Sequence, residues 1–529
     1  MFNKIKDKKH FNVLIMIFFL IFGFLIYGSS LDNPFVMDDD MQIVQNVHVR
    51  SLDNLSSFFT SSSFDDGTGK MVGIYYKPLM TIYYALVWNV VGNKPIDFRL
   101  PLLVIHIASS FLIFLFSLHF LPRKYSMILG LFFLVHPINT EVALYIADAQ
   151  DIFYFFFGIL SLYCIEVIEN KKILFFSLVL LFSAGLFSKE TGALFLLIGG
   201  AYTFFIHPRK KIPVFTSIVI VAVSYLILRW QIGMVHVRGV HIVFQTASFW
   251  ERLRMLPLIL GHYVEIFFFP MRLSVATDFI LQEFSFILFW GPLFLVLLFL
   301  FFIFKISKQL FNSSYKLHTQ FFLVVLLFWF VLHGQMLIPL DGVYADRWFY
   351  IGVWGLSSLL IIFAYHKYDS LKLQIVLGFI LLALSLRSYA RSLVWQDPLT
   401  LYRHEVALHP WDAKMNTVLG LEFFHQKKFL EARPYLLKAT ELNPAGAYYW
   451  NNLGSLQGNL KDYQGALRMY EKSLSIEKTK LVCHNYLWLL LKLDEREKAL
   501  KFLNEQALVW FPEDAVFLKV KKKSESLTN

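Results

Sequence analysis

The sequence predicts an all-α protein, with a large membrane-spanning part followed by a smaller soluble part built from helical repeats. Of its 529 residues, 57% are hydrophobic and 18% are aromatic, whereas a soluble domain is roughly half apolar. The long apolar runs are confined to the first 390 residues, and a 34-residue period follows them. We expect a membrane domain at 1–390, a linker at 391–413, three repeats at 414–515 and a tail at 516–529.

About eleven membrane spans are predicted. The first, at 11–27, follows a lysine-rich start and has nearly the length that a span requires. It lacks an obvious small-residue cleavage site, so we interpret it as a retained anchor and not as a signal peptide. The other predicted spans are 99–121, 125–143, 152–169, 173–188, 191–206, 213–230, 284–304, 320–338, 348–365 and 371–389.

Two further apolar segments are interpreted differently. Residues 79–91 are too few to cross a bilayer, so we expect them in the interface. Residues 250–269 carry four charged side chains and a histidine, and charge at that density is costly in hydrocarbon. We expect an interfacial or re-entrant helix there; a span whose arginines face a cavity is the alternative.

The basic residues predict the orientation. They cluster in short connectors at 123–124, 171–172, 209–211, 305–316 and 366–367, all on one side in this count, and such connectors face the cytoplasm. The net charge of +11 is largely explained by them, so nucleic acid is not an expected partner. The odd number of spans places the repeats outside, on the side of Asp38. The two cysteines, Cys164 and Cys483, predict no structural disulfide.

The soluble part shows an internal repeat. Leu419-Gly420 recurs as Leu453-Gly454, and Ala432 recurs as Ala466. The pattern from Trp450 to Leu474 is typical of tetratricopeptide repeats, which pair two helices per unit. We place the units at 414–447, 448–481 and 482–515. Such stacks bind peptides or partner proteins; a purely stabilising or dimerising scaffold is the alternative.

Three adjacent carboxylates, Asp38, Asp39 and Asp40, follow the first span. A transferase that acts at a membrane surface needs a carboxylate to accept the proton of the acceptor hydroxyl. Asp38 and Asp39 are therefore the predicted catalytic residues. A solvated acidic loop, or a helix N-cap before 41–47, is the alternative.

A second set of polar residues falls at the predicted outer ends of spans, where a lipid-borne phosphate would lie. Arg347 is the first candidate for binding that phosphate, because its planar fork fits phosphate in a bidentate way; an Asp346 pair or an aromatic anchor is the alternative. The other candidate binding residues are His136, Glu141, Asp151, Lys189, Glu190, Lys77, Arg252, Arg254 and, more weakly, His106. There is no P-loop, His-Glu-x-x-His motif or cysteine cluster; a divalent metal remains possible, although no spacing indicates one.

Together these motifs resemble the TMTC-type protein O-mannosyltransferases and their bacterial relatives, which are C-superfamily (GT-C) membrane glycosyltransferases with tetratricopeptide repeats. The resemblance is carried in order along nearly the whole chain. Its parts are Phe35-Val-Met-Asp-Asp39, Tyr76-Lys-Pro-Leu79, His106, His136-Pro-Ile-Asn-Thr-Glu141, Asp151, Ser188-Lys-Glu190, Ala345-Asp-Arg-Trp-Phe-Tyr350 and Trp395-Gln-Asp397.

The resemblance implies a GT-C fold that transfers a sugar, mannose in the family, from a polyprenyl-phosphate donor to a protein Ser or Thr with inversion. It also implies that Asp38 is the base and that Asp39 assists. The short repeat tail is similar to bacterial members, which implies a bacterial inner membrane, a cytoplasmic N-terminus and periplasmic repeats that bind acceptor or partner proteins. Lys77 replaces the usual Arg, so donor recognition can differ. A non-catalytic scaffold and a lipid-linked glycan ligase are the alternatives.

Overall fold

The computed structural model describes residues 2–60, 62–65, 71–72, 75–232, 248–275, 277, 286–334 and 342–528. The predicted all-α class is confirmed. Beside the helices, the described residues contain one antiparallel pair of two-residue strands, Phe64–Asp65 (β1) and Met71–Val72 (β2), with Phe64 opposite Val72. The chain divides into two compact units. Of the described residues, those up to Pro398 except Thr277 form the first unit, and Thr277 with those from Leu399 onward forms the second.

The first unit holds the apolar helices. They are α1 (Phe2–Tyr27), α2 (Pro78–Leu86), α3 (Pro95–Ser117), α4 (Arg123–Val135), α5 (Asn139–Leu144), α6 (Ala149–Val167), α7 (Lys171–Ser188), α8 (Ala193–Phe205), α9 (Lys211–Ile232), α10 (Phe249–Phe268), α11 (Phe286–Leu310), α12 (Lys316–His333), α13 (Tyr350–Tyr368) and α14 (Leu371–Val394).

Nine of the described helices are long and apolar enough to cross a membrane, and they coincide with nine of the eleven predicted spans. The chain is a multi-pass membrane protein. One predicted span is shorter than expected, because α4 ends at Val135 and not at 143. The predicted span at 191–206 corresponds to Glu190–Phe205, which has the predicted length but is one of the shorter apolar helices. The predicted span ends at 284–285 and 335–338 lie outside the described residues. The segment at 250–269 forms one continuous helix, α10.

The early end of α4 has a local cause. Pro137 disfavours helical geometry at the residue before it, and His136 is extended, with φ −68° and ψ 125°. The chain then turns and forms the short α5. The predicted span continues to 143, although residues 138–143 include the polar Asn139, Thr140 and Glu141. All six residues are buried inside the protein.

Contacts between distant helices define two ends of the membrane unit. At one end, the Arg123 guanidinium lies over the Phe11 ring and the Tyr125 hydroxyl donates to Asp369. At the opposite end, Ser30 donates to the carbonyl of Ser392. Helices α3 and α4 join at the first end, as do α6 and α7, α8 and α9, and α13 and α14. The basic connectors at 123–124, 171–172, 209–211 and 366–367 therefore lie away from the Asp38 end.

The second unit contains paired helices. They are α15 (Pro398–Leu408, which begins at the unit boundary), α16 (Ala413–His425), α17 (Phe429–Leu442), α18 (Ala447–Asn459), α19 (Tyr463–Ile476), α20 (Lys480–Lys492), α21 (Arg496–Phe502), α22 (Leu508–Trp510) and α23 (Ala515–Thr528).

The turns within the three pairs share one backbone conformation. Lys427, Lys461 and Asp494 have φ of 59°, 64° and 60°, which places each in the left-handed region that ends many helices. They are 34 and then 33 residues apart, as are the starts of α16, α18 and α20. The third unit is therefore shifted by one residue from its predicted register, and Leu487, not Trp488, occupies the position of Gly454.

The repeat glycines sit where paired helices approach closely. A Cβ atom on Gly420 would lie 2.7 Å from the Leu436 side chain, and one on Gly454 would lie 2.8 Å from the Tyr470 ring. A Cβ at either position would force the packed neighbour to move. This close approach explains why Leu-Gly recurs at 419–420 and 453–454.

Candidate functional site

The polar residues predicted at the outer span ends meet around one stretch, residues 136–151. It begins where α4 ends, includes α5 and the 3-10 turn Ile146–Asp148, and leads into α6. Every residue of this stretch is buried. Backbone and side-chain groups of the stretch contact the Asp38 loop, Arg347 and Lys189, so it organises the candidate site.

Asp39 anchors the first loop to this stretch. Its side chain is fully buried, and its two oxygens accept hydrogen bonds from the amides of Ala147 at 2.7 Å and Val36 at 3.1 Å. Burial raises the pKa of Asp39 to about 7, although the nearby Arg99 and the two amides lower it. A carboxylate enclosed in this way supports the loop and does not face a substrate.

Asp38, in contrast, is exposed. Its backbone amide donates to the Tyr145 hydroxyl at 3.1 Å, which fixes the main chain while the carboxylate stays open. The residue before it, Met37, has a φ of 51°. A non-glycine residue in this region is strained and persists only where the surroundings enforce it. Of the two predicted catalytic carboxylates, Asp38 is therefore the one that is accessible to an acceptor.

Arg347 is clamped between two buried carboxylates. Its Nη1 lies 2.6 Å from Oε1 of Glu141, and its Nε lies 3.3 Å from Oδ1 of Asp148. Nη1 also donates to the carbonyl of Val275 at 2.9 Å, while Nη2 donates to none of the described residues. The predicted alternative, a pair with Asp346, is not formed, because Asp346 accepts from His262 and from the amide of Ser274.

The same stretch holds a second cation. Nζ of Lys189 donates to both oxygens of Asp151, at 2.8 and 2.9 Å, and Asp151 is three residues from Asp148. Asp38 and Arg347 therefore lie at the same end of the helices, joined through Tyr145 and Asp148. The Tyr145 hydroxyl also interacts electrostatically with Asp38, Asp148 and Arg347.

Lys77 makes no ion pair with the described residues. It is 6% exposed, and its Nζ lies over the Tyr75 ring at 4.6 Å. No described carboxylate lies within ion-pair distance of it, although Glu190, Asp151 and Asp148 interact with it over longer range. Burial lowers the pKa of Lys77 to about 8, and Glu190 opposes this shift. A buried ammonium without a partner is suited to a phosphate group.

Four predicted site residues make other contacts. His106 is buried between Tyr350, at 2.6 Å, and the carbonyl of Leu134, and His136 bonds the carbonyl of Phe267 at 3.1 Å. Both histidines link helices. Arg252 and Arg254 begin α10, and no described contact joins them to the stretch. Helix α10 contacts the stretch at Phe267, whose carbonyl bonds His136, and Phe267 is roughly 20 Å further along the helix.

Sequence analysis missed Arg99. It is buried, and it donates to four carbonyl oxygens, those of Leu31, Asn33, Pro34 and Leu144. It thereby holds the loop after α1 against the end of α5. A charged residue inside an otherwise apolar span was the available signal, but nothing in the sequence indicates that its partners are carbonyls 45 to 68 residues away.

A metal site does not emerge from the geometry. Within the described ranges, no group of three or more His, Cys, Asp or Glu side chains is arranged to hold a metal ion. Glu141, Asp148 and Asp151 instead face arginine or lysine.

Comparison with known proteins gives relatives of one kind. The human Protein O-mannosyl-transferase TMTC3 is 22% identical over 495 residues, which covers 85% of this chain and 54% of the relative. The mouse TMTC3 is 21% identical over the same length. The Drosophila melanogaster Protein O-mannosyl-transferase Tmtc1 is 27% identical over 136 residues, 25% of this chain and 15% of the relative. Residues 413–445 and 447–480 match the tetratricopeptide repeat family.

The chain is a relative of the TMTC-type proteins. The resemblance inferred from the motifs is thereby confirmed, and so are tetratricopeptide repeats in the second unit. The chain spans about half the length of the two TMTC3 proteins. The third helix pair, from Lys480, falls outside the repeat match but shares the turn conformation described above.

Proposed function

We propose that this TMTC relative is a membrane glycosyltransferase that moves a sugar from a polyprenyl-phosphate donor to a Ser or Thr hydroxyl of a protein. Mannose is the sugar that we propose first. One observation carries the proposal. Asp38, an exposed carboxylate, is joined to the stretch 136–151 through Tyr145, and Lys77, a cation that makes no ion pair with the described residues, interacts at longer range with Asp148 and Asp151 of the same stretch. These are the two charges that such a transfer requires.

Asp38 and Lys77 act on different parts of the reaction. The acceptor hydroxyl attacks the anomeric carbon while its proton passes to Asp38. The bond from that carbon to the phosphate oxygen breaks, and the negative charge that develops on the phosphate is stabilised by Lys77. Attack opposite the leaving group inverts the anomeric centre. Asp39 holds the base in place from behind.

We do not propose Arg347 as the main ligand of the donor phosphate, although the planar shape of its guanidinium first suggested that role. Glu141 and Asp148 already pair with its guanidinium, so only Nη2 remains to reach a ligand. We infer that Arg347 positions the stretch around Asp148 and contributes at most the two N–H groups of Nη2 to the donor. Lys77 thus becomes the first candidate for binding the phosphate.

The distribution of charge supports a periplasmic site in a bacterial inner membrane. The basic connectors lie at the ends of the helices away from Asp38, and basic connectors face the cytoplasm. Helix α14 ends at the Asp38 end, where Asn33 donates to the carbonyl of Trp395 at 3.0 Å. The repeats that follow are proposed to be periplasmic and to bind acceptor or partner proteins.

The test is a transfer assay with the full-length protein in detergent or nanodiscs. We expect labelled mannose to pass from a polyprenyl-phosphate donor to a Ser/Thr-containing protein and to leave a product with inverted linkage. Donors with glucose, and donors with a diphosphate-linked oligosaccharide, are run beside it. Transfer of the oligosaccharide alone would identify a glycan ligase. No transfer from any donor, together with full function of an Asp38→Asn variant in cells, would identify a scaffold.

A further inference from the structure

A cavity of about 390 Å³ lies between α7 and α9, at the level of the residues that precede Lys189. Its volume is within the range of small-molecule sites. Its walls are mainly apolar, with Leu186 and Phe187 on α7 and Val221 and Leu228 on α9; we call it the α7–α9 groove. None of these residues belongs to the candidate site described above.

The groove is open towards the surrounding hydrocarbon. Helices α7 and α9 are both long and apolar enough to span a membrane. On α9, Val223, Leu226 and Ile227 are large apolar side chains that the protein does not cover, and Ile227 also lines the groove. A lipid chain can therefore enter from the side, without leaving an apolar environment.

One end of the groove borders Tyr76. The Tyr76 ring lies 6.5 Å from that of Phe187 and 6.3 Å from that of Tyr225, and both of these rings line the groove. Lys77 is the next residue along the chain. A second cation, Arg229, lies over the Tyr76 ring at 5.2 Å and makes no ion pair with the described residues.

Two polar features indicate that the occupant carries an anionic, hydrogen-bonding head. The Tyr225 hydroxyl is buried and has no hydrogen-bond partner among the described residues. Lys77 as a residue is 6% exposed, and its ammonium makes no ion pair with the described residues. A hydrocarbon chain alone satisfies neither group, and buried polar groups are normally satisfied. A phosphate beside Tyr76 is a partner for both cations.

We propose that the α7–α9 groove binds the prenyl chain of a polyprenyl phosphate and delivers the phosphate to Lys77 and Arg229. The proposal rests on the proposed function for the identity of the lipid, but the groove can be tested without any transfer. It adds Arg229 to the residues that hold the donor, and it makes the length of the lipid chain a determinant of recognition.

The first experiment narrows the groove. A Ser224→Trp variant fills the space with a ring, while a Val219→Trp variant places the same ring on the exposed, lipid-facing side of α9. With an undecaprenyl-length donor, we expect Ser224→Trp to lower kcat/KM by about tenfold or more, because several methylene groups lose their apolar contacts. With a geranyl-length donor we expect little change. Equal losses with both donors, or equal losses in both variants, would overturn the proposal.

The second experiment needs no sugar transfer. Polyprenyl phosphate with a photoreactive prenyl chain is mixed with the full-length protein in nanodiscs of a neutral phospholipid, and the crosslinked peptides are identified. We expect crosslinks to α7 and α9, reduced in Ser224→Trp and in Arg229→Gln but retained in Val219→Trp. A matched photoreactive phospholipid is the control. If it gave the same crosslinks to α7 and α9, the groove would be a general lipid site and the proposal would be refuted. If crosslinking succeeds while transfer fails, the groove stands and the proposed function falls.

Discussion

The backbone amide of Ala147 donates a 2.7 Å hydrogen bond to the carboxylate of Asp39, across 108 residues of sequence. The side chain of the adjacent Asp38 accepts no such bond from the described residues and is exposed. Of two neighbouring aspartates, one thus fastens the loop to the buried stretch, and the other is open to solvent. This difference gives a direct prediction.

Replacing Asp38 with Asn is expected to lower kcat by roughly a hundredfold or more, as the loss of a general base does, and to leave the melting temperature unchanged. Replacing Asp39 with Asn turns an amide NH2 towards a backbone donor, and leaving a buried group unsatisfied costs about 1–3 kcal/mol. We expect Asp39→Asn to lower both the melting temperature and the activity. The melting temperature and the activity of each variant are measured on purified protein. An Asp38→Asn variant as unstable as Asp39→Asn would contradict this division.

The ion pair between Arg347 and Glu141 predicts a coupled effect on stability. Removing one partner leaves a buried charge without compensation, which costs about 3–5 kcal/mol. We therefore expect Arg347→Met to destabilise the protein strongly, and Arg347→Met combined with Glu141→Gln to recover part of that loss. Chemical denaturation in detergent measures the free energy of unfolding of the single and the double variant.

The matched control for this pair is Arg272→Met. Arg272 is 74% exposed, and its nitrogen is 3.9 Å from the nearest Glu265 oxygen, so we expect a change of about 0.5 kcal/mol or less. If the double variant lost the sum of the two single losses, Arg347 and Glu141 would not interact in the way that the distance of 2.6 Å indicates.

Lys77 predicts how activity depends on pH. Its pKa is lowered to about 8 by burial, and only the ammonium form attracts phosphate. Since kcat/KM follows the free enzyme, we expect kcat/KM to fall as pH rises through about 8. In Lys77→Arg the charge persists, because arginine does not deprotonate in this range, so the fall should disappear. An alkaline fall that persists in Lys77→Arg would assign it to another group.

The same shift has a consequence for stability in the absence of donor. The folded pKa of Lys77 lies below its ordinary value of 10.5, so the unfolded chain binds more protons between about 8 and 10.5. The free energy of unfolding should therefore rise with pH across this interval. Lys77→Met should remove this dependence. Melting temperatures measured at several pH values, with and without donor, separate the two effects.

The exposed apolar residues of α20 predict an effect on KM for folded acceptor proteins but not for short peptides. Leu481 and Trp488 are exposed on α20, seven residues apart, which places them on one face of the helix. We expect Leu481→Ser with Trp488→Ser to raise KM for folded acceptor proteins several-fold and to leave KM for short peptides unchanged. Val509→Ser, at an equally exposed position, is the control. An equal effect of the control would remove α20 from acceptor binding.

Much of the fold follows from local sequence. Nine spans were located because each is a continuous apolar run of sufficient length. The predicted helix ending at 143 failed because hydropathy does not distinguish an apolar residue that faces lipid from one buried in protein. The pair His136-Pro137 was the signal that a break occurs there. The third repeat begins one residue earlier than the period of 34 between the first two repeats predicts.

The site was harder to predict than the fold. Residue types at span ends pointed to Glu141, Asp151, Lys189 and Arg347, but pairings across 38 and 206 residues depend on packing. Arg347 is the first predicted phosphate ligand but is clamped by Glu141 and Asp148, whereas Lys77, a further candidate, makes no ion pair with the described residues. Which of two adjacent aspartates is buried is also not encoded locally, because an irregular loop has no period from which a face can be inferred.

The loop after α1 is tied to the last helix of the membrane unit: Ser30 bonds the carbonyl of Ser392, and Asn33 bonds that of Trp395. During synthesis these partners leave the ribosome some 360 residues after the loop itself, since the separation is 362 residues in both cases. Until then the nascent chain carries Asp38 on a segment that lacks two of its anchors. The loop that carries Asp38 accordingly gains these two anchors late, only once nearly all the membrane helices have been synthesised.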